Sequence, residues 1–552
     1  MRLVLRSASA LAALSLVAYG LWMSEQWSEQ LWLLCLASVA VLTAISWWPR
    51  TPRGVPIFSR TVVRWSTLLL AIFVVLTVQL VRIQIVESTR IADRVEITAD
   101  GEVVRNPRLR SRFDDAARGR ILDANGVLLV ESVALEDGTS QRRYLEPATY
   151  GLVGFYSPLL FGGSQIEAAF DEYLAGQRGG NPVEGWLDGI LHRTRPGYDV
   201  MLTVDVELQR LADELLAGRS GAVVLIEPET GELLTMAGGG GFDPNLLYVT
   251  ADNATDQRVA EAQAYWQQII ADPNAPLVFR PTLGEYTPGS TFKTITSGGA
   301  IEFGIAMPET MYRDEGSYEV DGRVIVELNR PDDTRANWSL EEAYAYSLNV
   351  VFAQVGLQLG GDQLWEIAQR FGFGEELPFA LPVNVSNLAT EREALQTRTL
   401  VADSGFGQGE IQMTPLHLAL TTAAILNDGV LPEPVVAQRV QERDGDVVEE
   451  FNGGDWMRAV SAETANLLRE LMLASVEYGY ASGAQIDGAI VGGKTGTAET
   501  GSGEPHAWFT GFAEREGQRF VVAVVVENGG RGGEVALPIG RAMLEAALAG
   551  EE

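Results

Sequence analysis

GEYTPGSTFKTITSGGAIEFG, residues 284–304, joins a chain break at Pro288-Gly289 to a helix expected to begin at Ser290. Ser290 and Lys293 stand three apart, so both side chains project from one face of the first helical turn. A hydroxyl nucleophile needs a nearby base, and a neutral lysine amine can serve as one. The helix N-terminus adds partial positive charge where an oxyanion would develop. A Ser-x-x-Lys pair is common by chance, but this lysine is one of only two in 552 residues, the other 39 of the 41 basic residues being arginine. Arginine stays charged at any physiological pH, whereas a desolvated lysine can lose its proton and act as a base. A coding bias toward arginine would produce the same count without any such role.

The second lysine lies in GGKTGTAE, residues 492–499, a glycine-flanked strand. Lys494 supplies charge, Thr495 and Thr497 supply hydroxyls, and Gly496 lets a ligand backbone approach closely. Between the two lysines, NWSLEEAYAYSLNVVFAQVG (337–356) reads as one helix opened by a capping box of Ser339 and Glu342. Ser347 and Asn349 then fall in its interior, where polar side chains compete with the helix. Taken alone they are a solvent-facing pair; beside S-x-x-K and K-T-G they make an S-x-N element.

The strands that would carry these motifs are distant in sequence. GAVVLIEPETGELLTMAGG (221–239) reads as a hairpin turning at Pro-Glu-Thr-Gly, and three more strands are expected between residues 488 and 530. ELQRLADELLAG (207–218) and about 536–549 have helical spacing, and the segment between the two strand sets is mostly helical. The fold class is therefore α+β, a five-stranded antiparallel sheet flanked by helices.

Three apolar stretches, residues 7–23, 31–48 and 62–81, each approach the ~20 residues that cross a bilayer core. Arg2 and Arg6 precede the first, and Arg50, Arg53, Arg60 and Arg64 lie between the second and third or at the start of the third. The positive-inside rule places the N-terminus in the cytoplasm and everything after residue 85 outside. A cleaved signal peptide over the first stretch would leave that last conclusion intact. Cys35 falls within the second stretch, as a small apolar filler.

The boundaries expected are a membrane region at 1–85, a β-rich pedestal at 86–199 and a catalytic domain at 200–552. Residues 86–118 are a polar, arginine-rich stem, RGRILDANGVLLVES (118–132) is a hairpin turning at Asn125-Gly126, and EDGTSQRR (136–143) is a polar loop. A short helical run is expected around Ile166–Leu174, and no polar cluster stands out in this module. Residues 1–120 carry 15 arginines against nine acids, so the net charge of −32 is concentrated as −38 in the remainder. That acidity argues against nucleic acid as a partner. One cysteine and three scattered histidines provide no zinc set, and no cofactor is implied.

STFK, SLN and KTGT in that order resemble the penicillin-binding and serine β-lactamase superfamily. PGSTFK, GFGQGEIQMTPLHLAL (405–420), GKTGTAE and HAWFTGFA (506–513) are similar to the class B penicillin-binding proteins, monofunctional DD-transpeptidases. YGLVGFYSP (150–158) and GGFDPN (240–245) point to the penicillin-binding protein A branch. Three spans depart from the single one usual in that family. The resemblance implies that Ser290 attacks the penultimate carbonyl of a stem peptide ending in D-Ala-D-Ala, with a second stem's amine taking the acyl group.

It further implies that Lys293 is the base, Ser347 relays a proton, and Asn349 holds Lys293 or the substrate amide. Backbone N–H groups of Ser290 and Thr497 would form the oxyanion hole, and Thr495 and Thr497 beside Lys494 would take the terminal carboxylate. Burial and the Lys494 charge are expected to depress Lys293 toward ~7, about 4–5 kcal/mol of differential interaction. Implied partners are peptidoglycan stem peptides of lipid II-derived strands, β-lactam antibiotics, and a membrane glycosyltransferase of the shape, elongation, division and sporulation family. A serine β-lactamase or DD-carboxypeptidase, and a β-lactam-binding scaffold, remain as alternatives. Tyr286, His506 and Trp508 lie close to the motifs and are expected to be packing residues.

Overall fold

RFVVAVVVE, residues 519–527, is apolar at seven consecutive positions because both faces of its strand are covered. The computed structural model describes residues 2–23, 29–49, 54, 56–83, 95–97, 103–105, 118–135, 140–179, 196–239, 241–250, 253–501 and 503–550. The central sheet contains β1 (Gly221–Ile226), β2 (Leu233–Ala237), β3 (Ile490–Ala498), β4 (His506–Arg515) and β5 (Gln518–Val526). Its order is β2-β1-β5-β4-β3, antiparallel throughout. The five-stranded antiparallel sheet flanked by helices is as expected.

Around it stand α1 (Lys293–Glu302), α2 (Leu340–Ala345), α3 (Asn349–Arg370), α4 (Pro415–Leu426), α5 (Ala462–Glu477) and α6 (Ala536–Ala549). The period of two along β5 divides the core. Val521, Ala523 and Val525 pack in one cluster with Trp508, Phe512 and the apolar residues of α4. Val522, Val524 and Val526 pack on the other side with Phe509 and with Leu537, Met543 and Leu544 of α6. Helix α4 is buried at every position. Of its polar members, Thr421 Oγ1 donates to the His417 carbonyl at 2.9 Å, Thr422 Oγ1 meets Thr510 Oγ1 of β4 at 2.7 Å, and His417 Nε2 meets the Phe371 carbonyl at 2.6 Å. Burial pushes His417 down to about 4, so its ring is neutral there.

A second, six-stranded sheet runs Val447–Glu450, Ala437–Gln441, Asp199–Leu202, Ile121–Leu122, Leu128–Ala134, Ser140–Tyr144. Only Ile121–Leu122 and Asp199–Leu202 pair in parallel. Segments from both sides of residue 200 thus share one sheet. The expected hairpin at 118–132 turns at Asn125-Gly126, where Asp123 Oδ1 accepts from the N–H groups of Asn125 and Val127 at 2.9 and 2.7 Å.

The polar loop expected at 136–143 is corrected in part. Ser140–Tyr144 is a strand, and residues 136–139 lie outside the described residues. The inward residues of that strand are Arg142 and Tyr144, so its pattern does not look amphipathic. The same residues overturn the expectation that this module holds no polar cluster. Glu167 is buried and accepts from Arg118 Nε at 2.8 Å, Arg142 Nε at 2.7 Å and the Tyr144 hydroxyl at 3.1 Å. Arg142 also donates to the Gly119 carbonyl at 2.6 Å. Burial alone would raise the Glu167 carboxyl, but the two guanidinium groups outweigh it and hold it below its ordinary value.

The described residues fall into two compact units, the described residues from 118 onward forming one. The other holds helices Arg2–Trp22, Glu29–Trp47 and Ile57–Val81, with the strand pair Val95–Ile97 and Val103–Arg105. All three helices are long and apolar enough to cross a membrane. Within this unit Trp32 is buried, its Nε1 donating to Gln79 Oε1 at 2.5 Å, and Cys35 packs with Leu36 and Val39. The stem expected at 86–118 lies outside the described residues except for the two short strands and Arg118.

Removing one member of a buried ion group leaves uncompensated charge, at a cost of about 3–5 kcal/mol. Glu167→Gln is therefore expected to lower the thermal unfolding midpoint of the detergent-solubilised protein by several degrees. An unchanged midpoint would show that Arg118 and Arg142 do not depend on this carboxylate.

Candidate active site

Ser290 lies in a turn that the surrounding chain leaves little choice about. Gly289 has φ +55°, and a Cβ there would sit 2.7 Å from the Thr497 carbonyl oxygen, so only glycine fits. A Cβ on Gly407, in the GFGQG segment, would come within 1.7 Å of the Gly289 carbonyl oxygen. The helix expected to begin at Ser290 starts three residues later. Gly289–Phe292 is a 3₁₀ turn, locked by Thr291 Oγ1 donating to the Pro288 carbonyl at 2.8 Å, and α1 begins at Lys293. Ser290 lies in this turn, and Lys293 opens the helix directly after it.

The continuous helix expected over 337–356 is also corrected. It breaks into α2 and α3 across Tyr346-Ser347-Leu348, and Ser347 has φ +58°. A left-handed non-glycine residue costs about 1–3 kcal/mol and persists only where its surroundings over-determine it. Here the Ser347 carbonyl accepts from Lys293 Nζ at 2.7 Å and from Asn329 Nδ2 at 3.0 Å. Ser347 is therefore not a polar residue inside a helix but the corner between two. The expected capping box of Ser339 and Glu342 is present at the start of α2.

Lys293 is fully buried, and its Nζ has two further neighbours, Ser347 Oγ at 3.1 Å and Asn349 Oδ1 at 2.8 Å. The carbonyl and the amide oxygen can only accept, whereas the hydroxyl can donate. An ammonium donates to all three oxygens, whereas a neutral amine donates to two and leaves its lone pair free, so these contacts serve either form. Burial lowers Lys293 to about 7 against an opposing pull from the Glu327 carboxylate.

Lys494 of β3 is equally buried, with its Nζ 5.5 Å from the centre of the Tyr344 ring. Burial, and then the charge of Lys293, push its amine well below the ordinary lysine range. The repulsion expected to act on Lys293 is thus seen on Lys494, while burial is what lowers Lys293. Two amines facing each other in a dry site titrate as a pair.

Strand β3 packs directly on the Ser290 turn. A Cβ on Gly496 would meet Thr291 Cγ2 at 2.9 Å and the Pro288 carbonyl at 3.0 Å. Thr495 is partly exposed and Thr497 exposed, so both hydroxyls are accessible; Thr497 Oγ1 accepts from Gly532 N–H at 3.3 Å. Ser290, Lys293, Ser347, Asn349, Lys494, Thr495, Gly496 and Thr497 therefore converge on one place from three chain segments.

Tyr286 and Trp508 are buried beside it in packing roles. The Tyr286 hydroxyl donates to Glu527 Oε1 at 2.7 Å, and Trp508 Nε1 donates to the Thr287 carbonyl at 3.0 Å. His506 Nδ1 accepts from the Asn528 N–H at 3.0 Å. Glu327 and Asn329 are neighbours that sequence reasoning missed. VELNR carries no motif, and one acid after a short strand gives no signal that it is buried.

The Penicillin binding protein transpeptidase domain family matches residues 221–545, and the Penicillin binding protein A dimerisation domain family matches residues 118–200. Peptidoglycan D,D-transpeptidase PbpA of Mycolicibacterium smegmatis is 34% identical over 464 residues, which cover 80% of this chain and 91% of that protein. Peptidoglycan D,D-transpeptidase MrdA of Acinetobacter baumannii is 29% identical over 68% of this chain and 59% of its own length. Among solved structures, the imipenem acyl-enzyme complex of penicillin-binding protein A from M. tuberculosis superposes with a TM-score of 0.71. It is 30% identical and covers 80% of this chain and 100% of that one. A transpeptidase-domain match over more than half of the sequence, together with a relative so similar along most of its length, establishes that this chain belongs to the penicillin-binding protein transpeptidase family.

Proposed function

We propose that this protein is a peptidoglycan DD-transpeptidase that cross-links stem peptides through an acyl-enzyme on Ser290, and that β-lactams acylate the same hydroxyl. The observation that carries the reading is the fully buried Lys293 amine, held by neutral oxygens of the Ser347 corner and Asn349 with no carboxylate in direct contact. An unprotonated Lys293 takes the proton of Ser290 Oγ as that oxygen attacks the carbonyl carbon of the penultimate D-Ala. The oxyanion is met by the N–H groups of Ser290 and Thr497. The C–N bond breaks, Ser347 passes a proton to the departing D-Ala amine, and an ester on Ser290 remains. The amine of a second stem peptide then attacks the ester. Its proton returns through the same side chains, and Ser290 leaves as a hydroxyl. In a β-lactam the broken amide is part of a ring, so the leaving amine stays tethered and the ester persists.

Lys494, Thr495 and Thr497 receive the terminal carboxylate, with Gly496 allowing the peptide backbone to run alongside β3. A carboxylate arriving beside Lys494 favours its protonated form. A charged Lys494 in turn disfavours a second charge on Lys293. Substrate binding therefore supports the ionisation state that the base requires.

The three N-terminal helices anchor the protein in a membrane. A multi-pass topology with the N-terminus inside and the transpeptidase domain outside follows from the arginines flanking those helices. A membrane region at 1–85, a pedestal at 86–199 and a transpeptidase domain at 200–552 remain the proposed division. The same helices offer the contact surface for a glycosyltransferase of the shape, elongation, division and sporulation family.

Ser290→Ala is expected to abolish covalent labelling by fluorescent penicillin, and intact-mass analysis with peptide mapping of the unmutated protein should place the adduct at residue 290. Undiminished labelling would put the nucleophile elsewhere. A long-lived adduct is expected; rapid release of hydrolysed antibiotic would indicate a β-lactamase instead.

A buried neutral lysine also leaves a mark on stability. Folded Lys293 titrates at about 7, against ~10.4 for an unfolded lysine. Between these values the unfolded chain holds a proton that the folded chain lacks, so stability rises with pH. Lys293→Met removes this dependence. Its stability relative to the unmutated protein is expected to fall by on the order of 1 kcal/mol per pH unit across that range, read by urea unfolding. Parallel pH curves for the two proteins would contradict a lysine held neutral.

A further inference from the structure

Glu327 follows the short hairpin of Ser317–Val320 and Arg323–Val326 and has no part in the steps above. Its side chain is only 8% exposed, and both oxygens are occupied. Oε2 accepts from the N–H of Val350 at 2.9 Å, and Oε1 accepts from the N–H groups of Leu328 and Asn329 at 3.0 and 2.9 Å. Val350 lies in the first turn of α3, whose N-cap residue is Leu348, with no side-chain oxygen to offer. Glu327 supplies the missing acceptor from another segment, at the positive end of the helix dipole.

Two residues on, Asn329 Nδ2 donates to the Ser347 carbonyl at 3.0 Å, the oxygen that also receives Lys293 Nζ. The Tyr480 hydroxyl donates to the Asn329 carbonyl at 2.7 Å and holds this segment in place. Residues 327–329 therefore fix both halves of the Lys293 cradle: the start of α3, which carries Asn349, and the carbonyl of the Ser347 corner.

We propose that Glu327 is a positioning residue for Lys293, capping the helix that carries Asn349 and placing a negative charge beside the Lys293 amine. This rests on the reading of Lys293 as the base. The ionisable groups facing Glu327 are Lys293 from α1, Asp314 beside the strand Met311–Arg313, and Tyr480 after α5; Lys494 of β3 faces Lys293 in turn. Burial raises the Glu327 carboxyl, Lys293 opposes that rise, and Glu327 in return holds the Lys293 amine higher than burial alone would.

The test is the pH dependence of acylation by fluorescent penicillin, measured on the full chain in detergent. The unmutated protein should lose rate toward acid with a midpoint near the Lys293 value of about 7. Glu327→Gln should move that midpoint about one unit lower, the effect of losing one nearby charge. Far down the acid limb, this is roughly a tenfold gain relative to the variant's own plateau. Glu327→Asp, which keeps the charge, should retain the original midpoint even if its plateau falls. Asn329→Asp, which adds a second carboxylate, should move the midpoint higher. Midpoints that stay fixed in the Gln and Asn329 variants would overturn the proposal, and a purely structural role would lower plateaus without moving midpoints. If Glu327→Gln does not accumulate folded, Asn329→Asp decides by the same criterion. Failure of the underlying reading looks different: the unmutated protein itself would show no acid limb or no adduct on Ser290.

Discussion

The site depends on keeping water away from an amine without giving that amine a full counter-charge. Lys293 is buried between the Phe352 ring and the Ser347 corner. An ammonium in such surroundings needs close anionic partners, and the direct contacts of its Nζ are neutral oxygens. The carboxylate that does act on it, Glu327, is spent on three backbone N–H groups. Lysine is the side chain that can resolve this by losing a proton, which arginine cannot do. Much else in the fold maintains that dryness. The apolar α4 fills one side of the sheet, β3 lies against the 3₁₀ turn with glycine at the points of closest approach, and the GFGQG segment presses on Gly289.

The same constraint separates the two kinds of buried cation in this chain. Arg118 and Arg142 are buried guanidinium groups, and Glu167 lies between them with its carboxylate accepting from both. Nothing there can lose a proton at neutral pH, so that cluster fixes geometry and carries no proton chemistry. Lys293 and Lys494 sit in an equally dry place with less anionic support, and their protonation follows what binds. An arginine cluster in the second sheet and a lysine pair beside the first are thus two outcomes of one desolvation cost.

Legibility in the sequence followed the same physics. The central sheet could be read because strands buried on both faces are continuously apolar, as in RFVVAVVVE, and because glycine and proline marked the turns. Ser290, Lys293 and the Lys494 strand were visible through the scarcity of lysine. What stayed hidden was whatever replaced an expected residue type by a partnered one. Ser140–Tyr144 looked like a loop because an arginine points inward, and its partner Glu167 is 25 residues away. Ser347 looked helical because its neighbours have helical spacing. The break there is imposed by hydrogen bonds from Lys293 and Asn329, which no local pattern announces. Glu327 caps a helix that begins more than twenty residues later, so a search for a local cap stops at Leu348 and finds nothing.

Ser347 itself shows what the site gains from strain. Were a left-handed corner all that was required, glycine would adopt it with no steric cost. Asparagine, too, tolerates that conformation better than serine does. Neither provides a small hydroxyl that can both donate to an amine and accept from one. Serine places Oγ 3.1 Å from Lys293 Nζ, while the left-handed twist turns its carbonyl onto the same nitrogen at 2.7 Å. An ordinary helical residue would commit that carbonyl to the helix ladder, and a single segment could not then offer the amine both groups. The strain is offset by the bonds that Lys293 and Asn329 make to the carbonyl. On the proposed mechanism the relay hydroxyl and the anchor of the base are therefore supplied by one turn of chain.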